Sequence, residues 1–462
     1  MTSSYAPTLT LSKKTSLILI LIFTVIVVFD STIVEFSSYS GVESPTWLNV
    51  AIFVIFSIIF VASSTILLNS VRRIMSRHEY KPAPLGIVYF HGIISATQIL
   101  TVAIILIVIF QIMFLNKYSL ILLRVQMYLS HFSALAFLSF LSFLFAGWLL
   151  TSKRNYVIML YTISFSLASV NLVLSLIYLD SYLSRSALSD LKPYPITLYV
   201  TNIGGPRYIE SLSTVFDALS VSSFLLMWIA TAIFLSQYRY KMGKIKYFSL
   251  MSIPLIYYIF PFQSYSGDVL FSLLQSSPVS FSIIYVLIFS ATKQVGALLF
   301  SLAFWTASSL VYNDQIRKSL LISSIGMAIL FGTFEIAPLQ YHIYPPYGLI
   351  TQAFIPLGAY LLFVGIYTSA KNISRDSELR KEFYKNASSQ LALLKAIGVS
   401  QMEKELENQV KFVHKRSRVS EKEDELHLEE QHLEEENVKE ILHDVLNELY
   451  YSKNKKEETA KS

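Results

Sequence analysis

The chain has 462 residues, 53% of them hydrophobic and only 15% charged, which argues against an ordinary water-soluble domain, where about a quarter of residues carry charge. Its net charge of +6 is not a nucleic-acid signature, because the basic residues gather in short loops between apolar runs, and no nucleic-acid partner is expected. With no cysteine, disulfides, Cys-ligated zinc, iron–sulfur clusters and thiol nucleophiles are excluded together.

The charges are segregated along the chain. Residues 1–14 form a short N-terminus, 15–370 a transmembrane domain and 371–462 a charged tail. A helix needs roughly 20 apolar residues to cross about 30 Å of hydrocarbon, and backbone groups facing lipid must be satisfied within their own helix. The expected fold is therefore all-α, a polytopic transmembrane helical bundle of about ten spans, with the lipid bilayer as its principal partner. The spans fall near 15–34, 46–71, 88–115, 121–150, 156–179, 213–236, 247–263, 279–311, 319–338 and 348–370. The first has the basic flank of a signal peptide in Lys13 and Lys14, but its apolar run is long for one and no A-x-A site follows, so an uncleaved span is expected. Residues 264–311 are too long for one straight span and too short for three. An amphipathic piece near 267–276 followed by a long tilted or kinked helix over 279–311, beginning after Pro278, is expected; a re-entrant half-helix over 279–290 and a span from about 291 is the alternative. The ninth span is bounded by Arg317-Lys318 and Pro338, the tenth by Pro345-Pro346 and Lys371.

Lys and Arg alternate in the short loops. Fourteen lie on one side (Lys13, Lys14, Arg72, Arg73, Arg77, Lys81, Lys153, Arg154, Arg239, Lys241, Lys244, Lys246, Arg317 and Lys318), against five on the other (Lys117, Arg124, Arg185, Lys192 and Arg207). The positive-inside rule then puts both termini in the cytoplasm of a multi-pass cell-membrane protein.

Ionisable groups inside spans are costly, so each is a candidate site; pairing within the bundle or snorkelling to the interface is the structural alternative. In the ninth span Ser324, Ala328, Gly332 and Glu335 share one helix face, with small residues that permit close packing. Asp217 lies one to two turns into the sixth span, and Asp30, Arg124 and His131 sit at similar depth in the first and fourth. The fifth carries a stripe of Ser164, Ala168, Asn171 and Ser175. Together these predict a polar cavity in the outer half of the bundle, closed by the loop 180–212. Lys293 heads a further stripe with Ala297, Ser301 and Ser308, and in a helix over 279–311 it falls near mid-membrane. Residues Ser290 to Gly296 resemble the retinal-lysine helix of microbial rhodopsins, but position 289 is Phe where that family has a carboxylate, and ten spans do not fit seven. No cofactor or metal site is expected. The segment Tyr341–Tyr347 is accounted for by its prolines and interfacial aromatics.

Beyond the tenth span, Leu379, Phe383, Ala387, Leu391 and Leu394 give an apolar face, so a helix is expected over about 373–396, ended by Gly398. A second is expected near 400–414, followed by a basic patch, and residues 421–440 are strongly acidic. Val438, Ile441, Leu442, Val445, Leu446 and Leu449 form the apolar stripe of an amphipathic helix over about 437–451. On a charged tail that stripe should dock on another copy of the tail, on the earlier tail helices or on a cytoplasmic protein. His443-Asp444 resembles the phospho-acceptor box of sensor histidine kinases, but the proline that follows it there is missing and no ATP-binding domain is present. No P-loop, zincin motif, nucleophile elbow or kinase set occurs, so no enzymatic activity is indicated. A sensor, receptor or scaffold that relays state to the tail is the leading expectation, and a secondary transporter of a small solute the alternative.

Overall fold

The structure, a computed structural model, describes residues 12–40, 46–76, 85–115, 117–151, 155–185, 207–236, 239–259, 292–309, 311, 313–333, 345–346, 348–375 and 397–404. All regular structure among them is helical: α1 (Lys13–Ser40), α2 (Thr46–Ser76), α3 (Leu85–Leu115), α4 (Leu120–Thr151), α5 (Tyr156–Arg185), α6 (Arg207–Ser236), α7 (Arg239–Met242), α8 (Lys244–Ile259), α9 (Thr292–Ser308), α10 (Asp314–Thr333), α11 (Gly348–Arg375) and a final helical segment, α12, at 397–404. Among the described residues seven helices are long and apolar enough to cross a membrane, namely α2 to α6, α10 and α11. The architecture is that of a helical membrane bundle.

Several helices outrun their apolar stretches. α5 continues to Arg185 and α6 begins at Arg207, so the ends of the expected loop 180–212 are helical. α10 starts at Asp314, five residues before the expected span, which places Arg317 and Lys318 inside its first turns, both paired with Asp314. The reason is capping. Asn313 Oδ1 accepts from the amides of Gln315 and Ile316 at 2.9 and 3.3 Å, and Asn155 does the same for α5 through Val157 and Ile158 at 3.0 and 3.3 Å. A cap sets where a helix begins; hydropathy only sets where its apolar part begins. α7 and α8 are separated by Gly243, whose φ of 85° is the left-handed conformation that glycine adopts without a Cβ clash. Residues 260–291, where the long helix and its re-entrant alternative differ, lie outside the described residues.

The chain divides into two compact units, residues 1–143 with 160–366, and residues 144–159 with 367–462. In the first, α9 packs on α10, α8, α6 and α1, while α10 also packs on α1 and α2. α11 is buried without interruption from Gly348 to Ile366. Rings from four helices converge on it: Phe23 and Phe60 meet Phe354 edge-on at centroid distances of 5.1 and 4.8 Å, and Phe90 and Phe137 reach Phe363 and Tyr360 at 5.6 and 5.3 Å. α10 and α11 touch backbone to backbone. A Cβ on Gly326 would stand 2.5 Å from the Leu362 nitrogen, one on Gly358 2.8 Å from the Leu330 nitrogen, and one on Gly365 2.6 Å from the Ser323 nitrogen. Glycine here allows the close approach by which helices associate in lipid, where no hydrophobic force drives them together. The outward faces are apolar and the inward faces partly polar. Ile99 is 71% exposed beside Gln98 at 3%, the reverse of a water-soluble helix and the arrangement a lipid solvent selects.

In the second unit, α12 packs against the ends of α4 and α11. The indole nitrogen of the fully buried Trp148 donates to Gln401 Oε1 at 3.1 Å. Gly398 abuts Ile373 so closely that any Cβ would collide with its side chain. Gly398 lies within the helical residues 397–404 and permits a close approach to Ile373. The expected helices over 373–396, 400–414 and 437–451 lie wholly or largely outside the described residues, as does the docking stripe Val438 to Leu449.

Candidate functional site

The first unit contains a continuous polar belt. On α3, His91, Gln98 and Thr101 follow helical spacing along the face turned inward. His91 Nδ1 lies 2.8 Å from the Tyr360 hydroxyl of α11, and Gln98 Nε2 donates to the Ala353 carbonyl of α11 at 3.4 Å. Gln126 of α4 joins α3 by donating to Thr101 Oγ1 at 3.2 Å, and also to Ser130 Oγ at 2.8 Å within its own helix. Next to Ser130, His131 closes the path to α5: its Nδ1 is 2.9 Å from the Met127 carbonyl and its Nε2 3.4 Å from Ser175 Oγ. Asn171 stands one turn before Ser175 on the same stripe of α5. Another turn or two along, Ser164 Oγ donates to the Ser223 carbonyl at 2.9 Å while Ser223 Oγ donates back to the Ser164 carbonyl at 3.1 Å, which fixes α5 on α6.

Four side-chain amides are buried in this unit. Gln98, Gln126, Asn171 and Gln352 are all at most 3% exposed. Among the described residues, Oε1 of Gln98, Oε1 of Gln126, and both polar atoms of Asn171 and of Gln352 have no hydrogen-bond partner. An unsatisfied buried polar group costs about 1–3 kcal/mol, so such groups are few in folded proteins.

The residues singled out from sequence distribute unevenly. Arg124 and His131 lie two turns apart on α4, with Tyr128 between them. Tyr128 hydrogen-bonds Asp180 of α5 and lies in the field of Arg124. Asp217 of α6 is exposed and bears electrostatically on Tyr178 of α5. Arg124, Tyr128, Tyr178, Asp180 and Asp217 thus gather where α4, α5 and α6 adjoin. Lys293 occupies the first turn of α9, its side chain outside the described residues, and Glu335 lies outside them altogether. Their stripes nonetheless meet: Ser324 Oγ donates to the Ser301 carbonyl at 2.8 Å, the two hydroxyls are 3.0 Å apart, and Gly332 faces Ala297 and Phe23. These small-residue faces are a packing seam between α9 and α10. No group of three His, Cys, Asp or Glu comes together among the described residues in a way that could hold a metal ion.

Attention to ionisable groups inside the expected spans passes over Gln98, Gln126 and Gln352, which do not ionise, and Asp180, which lies one residue beyond the expected fifth span. The signal that finds the amides is a lone glutamine inside a long apolar run with Ser, Thr or His one turn away, as in Gln98 with Thr101 and Gln126 with Ser130. Comparison of the chain with family models, curated proteins and solved structures finds no match.

Proposed function

We propose that this chain is a multi-pass protein of the cell membrane, with about ten spans and both termini in the cytoplasm, that senses a state of its buried polar belt and relays it to its tail. The observation that carries this reading is the double engagement of one helix. α11 offers Ala353 and Tyr360 to the belt residues Gln98 and His91, and near its other end Ile373 to Gly398 of the tail segment. A helix buried along its length transmits displacement rather than absorbing it, because close-packed surroundings leave few intermediate arrangements. The tail stripe from Val438 to Leu449 then serves to dock a cytoplasmic protein or a second tail. A secondary transporter remains the second reading, favoured by the unpartnered amides alone.

The test uses the absence of cysteine. An ideal Cβ on Gly398 lies 3.0 Å from Ile373 Cβ, near the separation of about 3.5–4.5 Å that a disulfide spans. The I373C/G398C chain is expected to cross-link under mild oxidation in membranes, with a rate that changes several-fold when Gln98→Leu or Tyr360→Phe is added. Equal cross-linking rates in well-folded belt variants would end the relay reading, and uptake by reconstituted vesicles would then be measured.

A further inference from the structure

We propose that the end of the bundle where α1, α9 and α10 meet binds the headgroup of an anionic phospholipid, whose phosphate bridges Lys13, Lys14 and Arg317. The inference goes beyond the relay reading and shares with it only the placement of the chain in a membrane.

Three helices far apart in sequence bring these residues together. α1 packs on both α9 and α10. Trp305, near the end of α9, donates its indole N–H to the Lys13 carbonyl at 3.5 Å, and the Lys13 ammonium lies 6.0 Å from the centre of the same indole. Arg317 of α10 bears electrostatically on Lys13. The Lys13 ammonium thus adjoins a ring of α9 and lies in the field of a guanidinium of α10. Like charges held together by helix packing repel, and little in these segments offsets them. Residues 1–29 and 292–333 contain one acidic residue, Asp314, which is paired with both Arg317 and Lys318. With Lys13 and Lys14 beside them, the surplus at this end is positive, and a phosphate placed among the cations relieves it.

The apolar surface beneath the charges makes the partner a lipid. Lys14 is exposed, and Ile18, Leu21, Ile22 and Val25 follow it along one face of α1, exposed by 54, 50, 46 and 64%. From Lys14 to Val25 that face runs about 16 Å along the helix, about half of the hydrocarbon core and so the reach of one acyl chain. A soluble anion gains nothing from an apolar face continuous with its site, whereas a phospholipid occupies both at once. Lysine and arginine donate charge-assisted hydrogen bonds to phosphate oxygens, and an indole suits the boundary between headgroup and chain. The headgroup carries a net negative charge, because a zwitterionic one brings its own ammonium and leaves the positive surplus in place. On the topology proposed above, this end lies at the cytoplasmic leaflet, where anionic lipids concentrate.

Lipid titration of the full-length chain in detergent, read by native mass spectrometry, tests this. Phosphatidylglycerol is expected to bind about tenfold more tightly than phosphatidylcholine, and K13Q/R317Q to remove that preference while leaving phosphatidylcholine unchanged. K244Q/K246Q removes the same charge from two exposed side chains at the start of α8 and is expected to leave the preference intact. Equal losses in the two pairs would show a general attraction of basic surface and would overturn the site, as would the lack of any preference in the unmodified chain. Lys14→Gln, a change at an exposed side chain, is expected to weaken phosphatidylglycerol binding about threefold; it keeps the test open if K13Q/R317Q does not fold, and no change in it would also overturn the proposal. Displacement of phosphatidylglycerol by glycerol 3-phosphate at equal concentration would make the ligand a soluble phosphoester and overturn the lipid. The titration reads no movement of the tail and the I373C/G398C cross-link reads no lipid, so this inference and the relay reading fail separately.

Discussion

Hydrogen bonds inside this bundle can be weighed one by one. The bond between His91 and Tyr360 ties α3 to the ring-lined stretch of α11, and Tyr360 is fully buried. Tyr360→Phe keeps the ring contact with Phe137 and removes the hydroxyl. It is expected to cost about 1 kcal/mol, a typical net value for one hydrogen bond, read as a lower midpoint in denaturant titration of the detergent-solubilised chain. No loss of stability would mean that His91 finds water or lipid headgroups as readily as Tyr360. Asn171→Leu and Gln352→Leu are expected to behave oppositely, leaving the midpoint equal or higher, since replacing a side chain that has no hydrogen-bond partner among the described residues relieves a desolvation cost. That opposite sign separates a side chain that holds the fold from one that does not.

Among the elements, the crossing of α10 and α11 is where backbone geometry leaves no tolerance. Gly358→Ala puts a methyl 2.8 Å from the Leu330 backbone nitrogen, and Gly365→Ala one 2.6 Å from that of Ser323. Each is expected to cost about 1–3 kcal/mol or more by overpacking, because backbone cannot step aside as a flexible side chain can. Gly92 in α3 is the control, with nothing within 4 Å of its Cβ position. Gly92→Ala should be neutral or stabilising by about 0.5–1 kcal/mol through helix propensity. Comparable losses for Gly92→Ala and Gly358→Ala would refute the close crossing. The stripe of Ser324, Ala328 and Gly332 is legible in sequence because period and residue size reveal a packing face. The opposite face of α10, where Ser323 and Gly326 meet α11, is not, since a helix buried on all sides has no polar face to orient it.

For the whole molecule, the decisive feature is the enclosure of α11 by its neighbours. A lipid-soluble carbene reagent photoactivated in native membranes is expected to label the outward residues Ile99 and Phe110 of α3 and Phe132 of α4, which are more than half exposed. Residues 348–366 should remain unlabelled. Strong labelling there would show that α11 faces lipid and that the bundle is arranged otherwise. The sequence by itself determined that the chain is helical, membrane-embedded and segregated in charge, because the thickness of hydrocarbon and the need to satisfy every backbone group act on each segment separately. It also marked the polar stripes, which follow from helical period alone. The tertiary structure decided which stripes meet, which apolar helix is enclosed and which amides are left without partners. Those are properties of several helices packed at once, which the hydropathy of a single run does not fix.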